Sequence, residues 1–76
     1  PSRALRRGEG RTTLVIAHIG PDGVPTATEL AQSSGSRDLD RAAQQAVRRW
    51  RFEPAMDGGR PTVGRVVVPI DFRPER

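Results

Sequence analysis

The sequence predicts a small α+β domain in which two helices cover one face of a three-stranded antiparallel sheet. Three observations predict this fold class. The segment Thr12–Ile19 is rich in β-branched residues and apolar on both faces, as expected of a central strand. Apolar residues in 37–50 recur with the period of an α-helix. Two further strand-like segments each contain a Pro, which restricts them to sheet edges because Pro cannot donate a ladder hydrogen bond.

The first half of the chain is predicted to form a short helix followed by a β-hairpin. Residues 1–7, "PSRALRR", combine a Pro suited to a first helical turn with good helix formers, and Gly8 and Gly10 end the helix. The first strand then places Thr13, Val15, Ala17 and Ile19 on one face and Leu14 and Ile16 on the other. "GPDG" at 20–23 predicts a turn, and a second strand over 24–32 completes the hairpin.

The helix over 37–50 has the strongest local signal. Ser36 is its predicted N-cap, and Pro54 prevents it from continuing. Trp50 is the last residue of the apolar stripe, so we expect it to close the core near the sheet, with Phe52 packing on the same core from the extended segment that follows. The predicted core and motif residues of this region are Leu39, Ala43, Ala46, Val47, Trp50, Phe52 and Pro54.

The last strand is predicted over 62–72, after a turn at 56–61. It places Val66, Val68, Ile70 and Phe72 on one face. Strand two carries Pro25 and strand three carries Pro69, whereas strand one has no Pro, so the predicted spatial order is 2-1-3. The element order is α-β-β-α-β, with both helices on one face and a right-handed connection from strand two to strand three.

Composition argues against an enzyme. A chain of 76 residues forms a single domain, and without Cys it has neither disulfides nor a thiolate metal site. His18 is the only His, and Asp38 and Asp40 are two residues apart on a helix, so they do not face each other. The Gly-rich segments lack the strand–loop–helix context of a phosphate-binding loop. We therefore predict no catalytic, cofactor-binding or metal-binding residues.

The basic charge raises nucleic acid as a partner of a different class. The net charge is +4, and all thirteen basic residues are Arg. However, these residues are spread along the chain, and there is no Tyr and no aromatic cluster on which bases could stack. Arg48, Arg49 and Arg51 are better explained as compensation of the helix dipole and as solubilising charges. No nucleic acid is expected, and a basic nucleic-acid-binding module is the less favoured alternative.

A set of motifs resembles the C-terminal domain of the TonB family. "AVRRWRFEPA" at 46–55 follows "SSGSRDLDRAAQQ", is preceded by "IGPDG" and is followed by a Gly/Pro turn and "VVVPIDF". "PSRALRRG" also resembles the opening of the family, which normally has Tyr before the Pro. The resemblance covers residues 1 to about 72. The chain departs from the pattern in lacking that Tyr, in having Arg11 where a Gly is usual, and in having Thr13 where an aliphatic residue is common.

The resemblance implies a non-enzymatic periplasmic domain of an energy transducer that is anchored in the inner membrane of a Gram-negative bacterium. Such a domain would dock on the TonB box and plug of outer-membrane TonB-dependent transporters and transmit proton-motive-force-derived energy for nutrient uptake, siderophore-bound iron for example. ExbB and ExbD would be contacted through an N-terminal part. Since the sequence starts on Pro1, we interpret 1–76 as a single domain that is a fragment of a longer chain, with the membrane anchor in the missing part.

Docking is expected as strand addition at the open edge of the third strand, because strand two starts with a Pro and ends in a Ser-rich loop. The candidate edge residues are Arg65, Val66, Val67, Val68, Pro69, Ile70, Asp71 and Phe72. Pro69 has no N–H, so its nitrogen should face outward. By alternation, the N–H groups of Arg65, Val67 and Asp71 should also face outward, and those of Val66, Val68 and Ile70 should bond strand one.

Two alternatives keep the fold and change the partner. TonB-like domains also occur in other envelope proteins, including TolA-like ones, so the edge could bind a strand of a different envelope protein. It could also bind a second copy of this chain and form a homodimer. The sequence does not distinguish these partners.

Overall fold

The computed structural model describes residues 12–72, which contain five strands and one helix. The strands are β1 (Thr12–Ile19), β2 (Pro25–Gln32), β3 (Ala55–Asp57), β4 (Arg60–Thr62) and β5 (Gly64–Asp71), and the helix is α1 (Arg37–Arg48). The α+β class is confirmed. The helix predicted over 1–7 lies outside the described residues, and the third predicted strand corresponds to β5.

The main sheet has the order β2-β1-β5, with β1 antiparallel to both neighbours. The two strand pairs of this sheet differ in the regularity of their register. The register between β1 and β5 is unbroken, from Thr12 opposite Asp71 to Ile19 opposite Gly64. The register between β1 and β2 shifts twice, once at each end. Among the described residues β5 therefore has one strand partner and presents an open edge.

The core lies between α1 and one face of the sheet. Alternate residues of β1 are buried on that face, as the alternation of the sequence predicts, while the other face of β1 is only half-buried. The buried apolar cluster consists of Val15, Ala17, Ile19, Ala43, Val47 and Val68, and Phe52, Ile70 and Phe72 pack against it.

The helix ends earlier than the apolar stripe predicts. The Ser36 side chain accepts a hydrogen bond from the Leu39 N–H at 3.3 Å, which confirms the predicted N-cap. At the other end the last helical residue is Arg48, and the Trp50 N–H bonds the Val47 carbonyl, a tighter i to i−3 contact. Trp50 therefore lies outside the helix, and the helical spacing does not determine where its side chain points.

The prediction that Trp50 closes the core is wrong. Its side chain is 42% exposed, because the chain leaves the helix before reaching it. The Trp50 ring lies beside Phe52, with ring centroids 6.0 Å apart. Of the other predicted core residues, Ala43 and Val47 are buried, whereas Leu39, Ala46, Phe52 and Pro54 are half-buried.

A small hairpin replaces the single turn predicted over 56–61. β3 and β4 pair antiparallel, with Asp57 opposite Arg60. The two residues between them, Gly58 and Gly59, have φ of 60° and 82°, as a tight hairpin turn requires. Strand pairing with β1 consequently starts at Gly64, so the predicted start of the last strand at 62 is two residues too early.

Asp40 is buried beneath the loop between β2 and α1 and fastens that loop to β1. Its Oδ1 accepts hydrogen bonds from the Thr13 hydroxyl at 2.9 Å and from the Ser34 N–H and hydroxyl at 2.8 Å each, and its Oδ2 accepts one from the Ser33 hydroxyl. Burial acts to raise the pKa of Asp40, but the hydrogen bonds outweigh it and lower the pKa from 3.8 to about 2.

Candidate functional site

The candidate edge residues lie in β5, except Phe72, which directly follows it. They divide by exposure. Arg65, Val66, Val67, Pro69 and Asp71 are exposed, Val68 is buried, and Ile70 and Phe72 are half-buried. The structure thus gathers the predicted site residues on one strand with an open side. It ties that strand to the core through Val68, which is 7% exposed.

The two faces of β5 are settled by its register with β1. Val66 and Val68 lie opposite Ala17 and Val15, so they face the helix side of the sheet. Val67 and Pro69 lie opposite Ile16 and Leu14 on the other face. The helix-side face of the edge strand is therefore apolar, whereas the other face combines Val67 and Pro69 with the charged residues Arg65 and Asp71. Val67 is 48% exposed.

The other edge strand, β2, is more polar and more engaged. The Thr28 hydroxyl bonds Gln44 of α1 at 2.8 Å, and Glu29 lies 2.6 Å from the His18 Nε2 across the sheet. The Thr26 hydroxyl bonds the His18 carbonyl at 3.2 Å. These three side chains of β2 are therefore already bonded to β1 and α1, so β5 is the better candidate for an added strand.

A cavity of about 190 Å³ opens beside the start of β5. We call it the Gly64 cavity. Its walls are mainly apolar, and its charged members, Glu53 and Arg65, are both exposed. The lining residues are Ile19, Phe52, Glu53, Ala55, Gly64, Arg65 and Val66. The site is not visible in the sequence, because four of its lining residues come from segments other than β5.

Comparison with known proteins decides the family. A family model described as Gram-negative bacterial TonB protein C-terminal matches residues 1–74. The chain belongs to this family. The resemblance seen in the motifs of the sequence is thereby confirmed over almost the whole chain.

Curated TonB proteins agree with this assignment. The chain is 44% identical over 73 residues to protein tonB2 of Pseudomonas aeruginosa, which covers 96% of this chain and 27% of the relative. It is 38% identical over 72 residues to protein TonB of Xanthomonas campestris pv. campestris, covering 95% of this chain and 32% of the relative. It is 32% identical over 75 residues to protein TonB of Vibrio cholerae, covering 99% of this chain and 31% of the relative. No solved structure gave a significant match.

This TonB C-terminal domain therefore spans less than a third of the length of these relatives. Within residues 12–72, no helix is both long and apolar enough to cross a membrane.

The side chain of Arg51, just past the end of α1, makes local contacts. Arg51 Nη1 donates hydrogen bonds to the carbonyls of Trp50 at 2.8 Å and of Arg49 at 3.3 Å. A cation in this position satisfies carbonyls that have no partner within the helix and interacts favourably with its dipole. This geometry favours the structural interpretation of Arg51 over a nucleic-acid contact.

Proposed function

We propose that this TonB C-terminal domain binds an extended segment of an outer-membrane transporter, the TonB box, as an added strand along β5. The observation that carries the proposal is the open edge of β5. It is apolar on the helix side, is held by an unbroken register with β1, and has no second strand partner among residues 12–72. Such an edge is a template for strand addition.

Pro69 supports a specific hydrogen-bonding register. Residues opposite each other in an antiparallel pair alternate between exchanging two backbone hydrogen bonds and exchanging none. The pair of Pro69 and Leu14 fits the second kind, since Pro69 has no N–H. The N–H groups of Val67 and Asp71 would then point away from β1, toward the added strand.

Magnitudes predict weak and reversible docking. A backbone hydrogen bond contributes about 0.5–1.5 kcal/mol net. Ordering one residue of a flexible segment costs about 1–2 kcal/mol. These contributions roughly cancel over a short segment. Affinity must therefore come from side chains that the edge recognises or from tethering of the partners.

Membership of the family supports a proposal for the role of the whole protein. We propose a non-enzymatic energy transducer of the periplasm, anchored in the inner membrane and driven through ExbB and ExbD by a part of the protein outside residues 1–76. It would contact the TonB box and plug of transporters and support uptake of nutrients such as siderophore-bound iron. The similarity to curated TonB proteins along almost the entire chain supports this role.

The test is an NMR titration of the ¹⁵N-labelled domain with an extended peptide from the periplasmic start of a TonB-dependent transporter. We expect weak binding in fast exchange, with the largest amide shifts along β5. A steeply salt-dependent response confined to Arg48, Arg49 and Arg51, produced by a generic duplex, would instead support a nucleic-acid module.

A second copy of the chain or a strand of another envelope protein would use the same edge. A second copy is recognised by β5 amide shifts that depend on the concentration of the domain alone. Amides of β5 that stay unchanged with the transporter peptide would overturn the proposed partner.

A further inference from the structure

We propose that the Gly64 cavity is a specificity pocket that takes one apolar side chain, of the size of Leu, Ile or Met, from the strand added to β5. This inference rests on the proposed function of β5, and it names the chemistry that the bound segment must carry. The ligand is an extended segment with a large apolar residue at one defined position.

Two apolar walls of the cavity, formed by Ile19 and Phe52, are held in place by the core. Ile19 is 4% exposed and belongs to the buried cluster, and Phe52 packs against that cluster. The backbone of Phe52 is fixed by a 2.9 Å hydrogen bond from its N–H to the Gly23 carbonyl. A ligand side chain would therefore enter a site that already has its shape, which lowers the cost of binding.

Two small residues, Gly64 and Ala55, form one wall of the cavity. They lie close together, since a Cβ placed at Gly64 would be only 3.0 Å from the Cβ of Ala55, and neither residue carries a side chain long enough to fill the cavity. The cavity of about 190 Å³ exceeds the ~150 Å³ of an apolar protein cavity that accepts benzene. One large aliphatic side chain fits this volume.

The position of the cavity selects one residue of an added strand. Gly64 and Val66 lie opposite Ile19 and Ala17, so both face the helix side of the sheet, and Val66 is 36% exposed. Side chains of an added strand alternate between the two faces of the sheet. Whichever way that strand runs, one side chain on the helix side comes to lie beside Gly64 and Val66. Farther along this face the neighbour is Val68, which is buried in the core and leaves no such space.

The charges at the cavity fit an apolar ligand group. Glu53 and Arg65 are exposed, so they remain hydrated while the apolar walls accept the side chain. Burying a polar or charged group among Ile19, Phe52 and Val66 would cost free energy, because these side chains offer it no hydrogen-bond partner. The pocket therefore discriminates by polarity as well as by size.

The test is an alanine scan of the transporter peptide, with amide shifts of β5 reporting edge binding and the dissociation constant reporting preference. We expect one large apolar position at which replacement by Ala weakens binding about tenfold or more. The domain variant Ala55→Leu, which fills the cavity, should lose this preference. The matched variant Ala27→Leu, an exposed Ala on β2, should retain it.

The outcomes separate the two proposals. If the β5 amides shift but every Ala-substituted peptide binds equally, or if Ala55→Leu keeps the preference, the specificity pocket is overturned and strand addition stands. If no peptide shifts the β5 amides, the proposed function fails and the pocket fails with it.

Discussion

The backbone of Phe52 rests directly on the backbone of Gly23. The Phe52 N–H donates a 2.9 Å hydrogen bond to the Gly23 carbonyl, and a Cβ placed at Gly23 would overlap the Phe52 carbonyl oxygen. Gly23 also has φ of 83°, which residues other than Gly adopt at a cost. The turn after β1 and the segment after α1, two of the motifs by which the family is recognised, are thus one structural unit.

Replacing Gly23 should be among the most damaging single changes. We expect Gly23→Ala to lower the free energy of unfolding by about 3 kcal/mol or more, from a strained φ and a backbone overlap together. The control is Gly58→Ala, which has φ of 60° but no neighbouring atom within 4 Å, so it should cost only about 1 kcal/mol. Urea denaturation of both variants measures the difference, and equal losses would show that the contact with Phe52 is unimportant.

The Asp40 hydrogen-bond cluster should make stability depend on pH in the acid range. Because the folded-state pKa of Asp40 is lowered from 3.8 to about 2, its contribution is fully present above about pH 4 and is lost as the pH falls toward 2. Denaturation midpoints at several pH values measure this loss.

Asp40→Asn isolates the source of that loss. We expect it to cost about 2–3 kcal/mol near neutral pH, because an amide replaces a charged acceptor of four hydrogen bonds. It should also flatten the acid dependence between pH 4 and 2. Asp38→Asn, at an exposed position of the same helical turn, serves as the control and should change neither. An unchanged acid dependence in Asp40→Asn would assign the loss to other carboxylates.

The exposure of Trp50 predicts a modest cost of truncation. Trp50→Ala should lower the free energy of unfolding by about 1 kcal/mol, the size of an aromatic contact such as that with Phe52. Val47→Ala, at a fully buried position, should cost about 2 kcal/mol or more despite removing fewer atoms. Denaturant unfolding of the two variants ranks them, and a larger loss at Trp50 would place its ring in the core.

Proline substitutions separate binding from folding along β5. If the Val67 N–H points outward, Val67→Pro should leave the fold intact and weaken peptide binding by removing one intermolecular hydrogen bond, about 0.5–1.5 kcal/mol. Val66→Pro should instead remove a bond to β1 and destabilise the domain. Thermal unfolding and peptide titration of both variants measure this contrast. The reverse pattern would show that the register is shifted by one residue.

The sequence predicts the regular parts of the fold well. β1 is predicted with its observed bounds, because its eight residues are rich in β-branched side chains and the segment lies between Gly10 and Gly20. The buried face of α1 follows from the spacing of Ala43 and Val47. These features depend on local periodicity, which can be recognised in a segment without knowing which other segments pack against it.

The remaining features depend on contacts between distant segments. Trp50 continues the apolar spacing of α1 but lies past its end, so periodicity alone misplaces it. In the sequence, Asp40 is an acidic residue in the first turn of a helix, where it interacts favourably with the helix dipole. Its hydrogen-bond partners Thr13, Ser33 and Ser34 come from β1 and a loop, so they are not apparent from the helix alone. The Gly58–Gly59 pair is a hairpin signal, but the flanking segments of three residues are too short to stand out as strands.

The pairing of β1 with β5 gives the domain a mechanical direction. The chain enters β1 at Thr12, the end at which β5 finishes at Asp71. Under the proposed function, tension arriving through the upstream chain pulls β1 toward that end. If the bound segment is anchored beyond the Gly64 end of β5, the tension acts in shear on all hydrogen bonds between the segment and β5 at once. If the segment is anchored beyond the Asp71 end, the tension breaks these hydrogen bonds one after another. The same complex should therefore withstand force from one side and release easily from the other.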